Sequence, residues 1–340
     1  MKLLVTGGAG YIGSVLVRLL IERGHQVRVL DRLYWGRGPL AAVAERVEIV
    51  HGDVRHLPEG TLDGVDGVVH LAGLSNDPTA EYNPAANWEM NAIATEQLAL
   101  ACIRRGVRRF VLGSSCSIYD GLPTDEVLDE TAEVRPQGAY ATSKRWAEQR
   151  LIELAGAGLT PVILRQGTVY GYSPRMRYDL VVNTFVKDAL VHGRLFLHGG
   201  GWMWRPLVDV RDAAQTYLRV LEAPEAQVAS QIFNVVHDNY QIRQLAMLVA
   251  GSVQMVKRGV VLEEAPAPPL VRNYRCSGRK LEERVGFRPA LTPLESIADM
   301  LRRLDLDHVH DFFHPRYYNI AWMTLLDEMY PVLRPFESAF

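Results

Sequence analysis

Tyr140 and Lys144 stand four residues apart in Tyr140-Ala141-Thr142-Ser143-Lys144, at the start of a helical pattern over 140–155. That spacing puts both side chains on one helix face. A free tyrosine titrates at about 10. A neighbouring ammonium favours the phenolate and lowers that value, which would suit Tyr140 to general acid–base work near neutral pH. Ser115, just past the apolar run 109–113, is placed to hydrogen-bond the reacting oxygen. A Tyr and a Lys at this spacing also arise by chance, so these three candidate catalytic residues carry weight only beside a cofactor site.

Such a site is legible upstream. Gly8-x-Gly10-x-x-Gly13 follows the strand pattern 3–6 and opens the amphipathic pattern 12–23, which stops at Gly24. This is the context a dinucleotide fingerprint requires. The glycines permit a tight turn and close backbone approach to a pyrophosphate, and the helix N-terminus offers unpaired N–H groups. Asp31 lies 18 residues beyond Gly13, where a carboxylate can hold the adenosine ribose. That favours NAD over NADP, whose 2′-phosphate would meet a like charge; Arg32 and Arg37 pull the other way.

The elements that must position these groups alternate strand and helix. Strand patterns fall at 26–30, 47–50, 66–71, 109–113 and 161–164, with helical patterns at 87–105 and 140–155. Alternation of this kind demands a parallel sheet with helices on both faces, and ligands then sit at the carboxyl ends of the strands. The Gly-rich turn, Asp31, Asp53, Ala72-Gly73 and Ser114-Ser115 all fall at such ends. After Gly171 polar turns multiply, a helical pattern covers 209–221, and 231–236 reads as a strand returning to the sheet. The expected fold class is α/β, a Rossmann-type doubly wound parallel sheet with a smaller, discontinuous C-terminal substrate domain. The expected limits are 1–172 with 205–238 returning to it, 173–204 with 239–300 as the substrate domain, and a C-terminal extension over 301–340.

Composition narrows the partners. With 340 residues, 48% of them hydrophobic, the chain can bury a large core, and its net charge of −2 gives no case for nucleic acid or an anionic membrane. Cys102, Cys116 and Cys276 are too few and too scattered for a disulfide framework; a reducing, cytoplasmic setting fits. The start of the chain reads as a strand and not a signal peptide, and no apolar run is long enough for a membrane span. His308, His310 and His314 match no standard zinc spacing, so no metal is expected.

Taken in order, Thr6-Gly7-Gly8-Ala9-Gly10-Tyr11-Ile12-Gly13, Gly52-Asp53-Val54, His70-Leu71-Ala72-Gly73, Ser114-Ser115-Cys116-Ser117-Ile118-Tyr119, Tyr140 to Lys144 and Leu164 to Gly171 resemble the extended short-chain dehydrogenase/reductases, in their nucleotide-sugar epimerase/dehydratase branch. The resemblance spans residues 1–300. It implies that Gly7, Gly10, Tyr11 and Ile12 line the NAD pyrophosphate. Asp31, with Arg32 beside it, would meet the ribose, and Asp53 and Val54 the adenine. Leu71, Ala72, Gly73 and Asn91 would contact the cofactor further along, and Lys144 the nicotinamide ribose next to Tyr140. On the substrate side it implies Ser75, Ser115, Cys116, Thr168, Asp179, Asn183, and Arg205 and Arg272 as diphosphate grips. It also implies a homodimer through the helices near 87–105 and 140–155; Ala92, Ala94, Leu98, Ala99 and Ala101 suit close packing there, between subunits or within one.

Two departures matter. Dehydratases of this branch place an acid directly after the catalytic hydroxyl residue, where this chain has Cys116 and Ser117, which disfavours 4,6-elimination. Thr168 stands where the family often has Asn, so the sugar pocket is expected to differ. The leading expectation is a 4-epimerase acting through a transient 4-keto sugar. The alternative is a 4-keto-sugar reductase, or another epimerase or dehydratase of deoxysugar or heptose pathways. A non-catalytic NAD sensor would typically lack the Tyr/Lys pair. The pattern over 319–330 reads as an amphipathic helix that packs on the body or on a partner subunit.

Overall fold

The structure is a computed structural model that describes residues 1–122, 126–254, 259–267, 272–306 and 312–333. His308 and His310 lie outside the described residues. Seven strands form one parallel sheet. β1 (Lys2–Thr6), β2 (Gln26–Asp31), β3 (Val47–His51), β4 (Gly67–His70) and β5 (Arg109–Ser115) are joined by the strands Thr160–Gln166 and Gln231–Val235. Counting from the 231–235 edge, the order is 231–235, 160–166, β5, β4, β1, β2, β3.

Both faces of this sheet are buried, and the period of two along each strand decides which face a side chain joins. Leu3, Val5, Val69, Val111, Val162 and Leu164 meet Leu16, Val17 and Leu20 of α1 (Tyr11–Glu22) and Ala213, Tyr217 and Leu218 of the helix Val210–Glu222. Their neighbours Leu4, Val68, Phe110, Leu112 and Ile163 point the other way. They pack on Leu98, Ala99 and Cys102, and on Ala147 and Leu151. Each such side chain contributes about 1.5–3 kcal/mol by leaving water.

The second face holds α2 (Asp77–Tyr82), α3 (Pro84–Trp88), α4 (Ala94–Arg104) and α5 (Ala139–Leu154). The sequence predicts an unbroken helix over 87–105. The chain instead makes a π turn at Glu89–Ile93 between α3 and α4. The wider turn reorients Asn91, whose buried Nδ2 donates to Leu74 O at 2.9 Å and Asn87 Oδ1 at 2.7 Å.

A second apolar cluster gathers Val182, Val186 and Ala189 of the helix Val181–His192, Leu245, Val249 and Val253 of Ile242–Val253, and Ile297 and Met300 of Pro293–Leu306. A three-stranded sheet of Thr168–Tyr170, Trp204–Asp209 and Asp238–Gln241 adjoins it. The last of the described elements is the helix Asn319–Leu333.

Candidate active site

The turn after β1 is built for close approach. Gly7 has φ +72°, and a Cβ there would come within 2.7 Å of Ala72 N; one on Gly13 would sit 2.1 Å from Gly7 O. Only glycine fits where backbone meets backbone so closely. Gly10 caps α1 in an extended conformation with no side-chain hydrogen bond, so the first-turn N–H groups remain open to an anion. Asp31, at the end of β2, accepts from Ala9 N at 2.9 Å and Leu33 N at 2.7 Å. Burial raises its carboxyl above the ordinary range against those two bonds.

A cleft opens above this turn. Tyr140 and Lys144 of α5 face Ser115 across it, with Gly73, Ser75, Gln166 and Thr168 on its walls. Burial raises the Tyr140 phenol, while a hydrogen bond with Ser115 and the charge of Arg177 lower it. The sequence assigned that counterweight to Lys144. Lys144 is itself buried, and its Nζ donates to Gly113 O at 3.0 Å; desolvation pulls the ammonium down to about 8. Arg177 is a cation whose charge lowers the Tyr140 phenol, and sequence reasoning missed it. It donates to Asp179 Oδ1 at 2.8 Å and to Ser75 Oγ at 2.9 Å. The signal available was two arginines flanking Met176 in a turn-rich stretch.

Two networks hold α5. At its start, Asn87 Nδ2 donates to Ala139 O at 3.1 Å, and Ser143 Oγ to Tyr140 O at 2.8 Å. Further along, Glu148 is fully buried against Arg165, accepting at 2.7 and 3.0 Å, and takes a 2.6 Å bond from Ser114 Oγ. Arg165 Nη1 continues to Tyr119 OH at 2.8 Å.

Residues 3–235 match the "NAD dependent epimerase/dehydratase family". The chain belongs to that family. Its cofactor is NAD, and the open N-terminus of α1 above a glycine cradle fits a dinucleotide pyrophosphate. Among curated proteins, a UDP-glucose 4-epimerase of Corynebacterium glutamicum is 28% identical over 318 residues, 88% of this chain and 94% of that one. A UDP-glucuronic acid decarboxylase 1 of Arabidopsis thaliana is 32% identical over 233 residues, 65% of this chain and 52% of that one. Among solved structures, a dTDP-glucose 4,6-dehydratase of Streptomyces venezuelae with NAD and TYD bound superposes with a TM-score of 0.82 at 27% identity, covering 93% of this chain and 100% of that one. Three reactions on nucleotide sugars thus stand at similar distance from this epimerase/dehydratase-family chain.

The remaining residues singled out in the sequence divide by location. Gly7, Gly10, Tyr11, Ile12, Leu71, Gly73, Ser75, Thr168 and Arg272 line the cleft. Asn91 lies behind Gly73, its buried Oδ1 without a partner. Ala72 packs against Gly7. Asp53 is held by Arg55 at 2.7 Å and Arg32 at 3.0 Å, and Val54 is buried beneath it. Asn183 donates to Tyr11 OH at 3.1 Å and accepts from Gly171 N at 3.0 Å, so it supports the cleft from behind. Asp179 pairs with Arg177. Arg205 turns back to Trp204 O at 2.8 Å and to Arg272 O, while Arg272 pairs with Asp77. Cys116 is outside the cleft: its thiol donates to Arg165 O at 3.2 Å, and burial beside Cys276 pushes it well up. Arg175, Asn319 and Trp35 also line the cleft, and the sequence reading named none of them.

Proposed function

We propose that the chain is an NAD-dependent nucleotide-sugar 4-epimerase working through a transient 4-keto sugar. The observation that carries this is the make-up of the cleft. Tyr140, Ser115 and Lys144 meet there, and among the described lining residues there is no Asp, Glu, His or Cys. Elimination of water across C5–C6 needs a base and an acid beyond the tyrosine, and the described lining residues supply no carboxyl, imidazole or thiol for it.

Tyr140 takes the proton of the C4 hydroxyl and returns it once the keto sugar has turned its other face. Ser115 holds the reacting oxygen in line. Arg177 favours the phenolate that burial opposes, and Lys144 orients the nicotinamide ribose. NAD, when bound, accepts the C4 hydride and gives it back, so it is regenerated in each cycle. Gly7, Gly10, Tyr11 and Ile12 would hold its pyrophosphate, and Asp31, Arg32, Asp53 and Val54 its adenosine. Leu71 to Gly73 and Asn91 would hold the remainder. Ser75, Thr168, Asp179 and Asn183 would shape the sugar and nucleotide pocket, with Arg272 and Arg205 on the diphosphate. In this reading residues 173–204 and 239–300 form the substrate domain, and the enzyme works as a homodimer.

Purified protein is expected to release NAD on denaturation. It should interconvert the C4 epimers of one sugar in a panel of UDP-glucose, UDP-glucuronic acid and dTDP-glucose, without added cofactor. Tyr140→Phe should lower turnover by about 100-fold to 10,000-fold while keeping the bound NAD. Stoichiometric consumption of NADH or NADPH, or release of a 4-keto-6-deoxy product, would overturn the proposal.

A further inference from the structure

Arg175, at the mouth of the cofactor turn, is a buried cation that forms no ion pair among the described residues. It is 4% exposed, and its Nε and Nη1 have no hydrogen-bond partner. Asp179 acts on it only from a distance and is itself clasped by Arg177. Burying an unpaired guanidinium is costly unless something of opposite charge completes the site; desolvation here pulls it down to about 9.

Its surroundings say where that partner must lie. Ser173, two residues before it, donates to Tyr11 O at 2.6 Å and meets Ser14 Oγ at 3.1 Å. These bonds fasten the segment to the first turn of α1. Arg175 lines the cleft together with Gly7, Gly10 and Gly13. Its guanidinium lies 4.0 Å from the ring centroid of Trp35, in the loop that follows the β2 end carrying Asp31. Nη2 donates to Asn319 Oδ1, and Asn319 Nδ2 donates in turn to Ser75 Oγ at 3.0 Å. Trp322 Nε1 donates to Tyr34 O at 2.6 Å. The helix Asn319–Leu333 is thereby pinned to the loop beside Arg175.

We infer that Arg175 is a ligand of the cofactor pyrophosphate, with Trp35 and Asn319 as its positioning residues, so that the start of the helix Asn319–Leu333 forms part of the dinucleotide site. This rests on the cleft being that site. The stack on Trp35 and the bond to Asn319 leave Nε and Nη1 without a protein acceptor, and phosphate oxygens can accept charge-assisted bonds from both. The sugar nucleotide also brings a diphosphate. The tie to α1 and the loop after Asp31 put Arg175 on the cofactor side, whereas Arg272 stands beside Asp77 and Tyr274.

Calorimetric titration of the dinucleotide-free full-length chain with ADP, adenosine and UDP tests this. Arg175→Gln should weaken ADP about 10-fold or more and leave adenosine and UDP unchanged. Arg175→Lys should recover part of the loss, and Asn319→Ala should weaken ADP alone, to a smaller degree. Equal ADP affinity in Arg175→Gln and wild type overturns the inference. So does a loss for UDP in place of ADP, or a parallel loss for adenosine, which would place the effect in the fold. If the wild-type chain binds neither ADP nor adenosine, the cleft is not the dinucleotide site, and that reading falls with the inference.

Discussion

The titration of Tyr140 is a balance of opposed effects, and only part of it can be seen in the sequence. The partnership of Tyr140 with Ser115 was legible because both stand at fixed places, a strand end and a helix start. The cation was not, because spacing along a helix says nothing about which acceptor a lysine finds. Gly113 O captures Lys144, and Arg177 arrives from 37 residues further along the chain. His70 teaches the same lesson. It was read as the residue before Leu71-Ala72-Gly73, yet it is fully enclosed, with Nδ1 2.7 Å from Thr6 Oγ1 and Nε2 3.0 Å from Thr95 Oγ1. Burial, with help from the charge of Lys144, lowers its titration from 6.5 to about 3. Between those values the unfolded chain binds a proton that the folded one refuses. Folding stability is therefore intact above pH 6.5 and falls by about 1.4 kcal/mol per pH unit below it on account of this residue. Urea unfolding of wild type and His70→Gln between pH 7 and pH 4 should give a steeper acid loss for the wild type. Parallel curves would show that His70 has no such linkage.

The elements divide by how local their causes are. α1 and the strands beside it follow from short-range signals, a glycine turn and runs whose alternate residues are apolar, and their observed limits lie close to the expected ones. The π turn at Glu89–Ile93 depends on Asn87 and Asn91 finding Ala139 O and Leu74 O, partners that no window of sequence contains. The helices Val181–His192 and Pro293–Leu306 were overlooked for a related reason: their apolar faces make sense only against each other and the helix Ile242–Val253. For α5 the sequence showed the helix and not what anchors it. Glu148 lies one turn beyond Lys144 and is enclosed with Arg165. Removing one partner of such a pair strands the other as a buried charge, at about 3–5 kcal/mol. Glu148→Ala should lower Tm by many degrees and reduce NAD retention, because the helix carrying Tyr140 and Lys144 loses its ties to Arg165 on the strand Thr160–Gln166 and to Ser114 on β5. A double variant, Glu148→Leu with Arg165→Met, should recover much of the stability. Stability unchanged in Glu148→Ala would mean that the pair anchors nothing.

In the molecule as a whole, Ala94, Leu98 and Ala99 of α4 are buried within the chain and packed on the sheet, and Ala92 of the π turn is buried too, so these residues build the subunit's own core. If two copies meet through these helices, their outward faces must do it. Those faces carry Trp88, Ile93 and Ile152, each 37% exposed, and Trp88 lies against Trp146 with ring centroids 5.5 Å apart. Large apolar side chains clustered on adjacent helices are what a helix-to-helix interface buries. The cleft opens at the strand ends, so pairing through this face would leave it free to bind substrate. Sedimentation should therefore report a species of twice the 38.1 kDa chain mass. Trp88→Glu with Ile152→Glu should convert it to a monomer that still holds NAD, because neither residue lines the cleft. A wild-type chain that sediments at its monomer mass at micromolar concentration would leave these aromatic and aliphatic side chains as ordinary surface and remove the case for pairing through α3, α4 and α5.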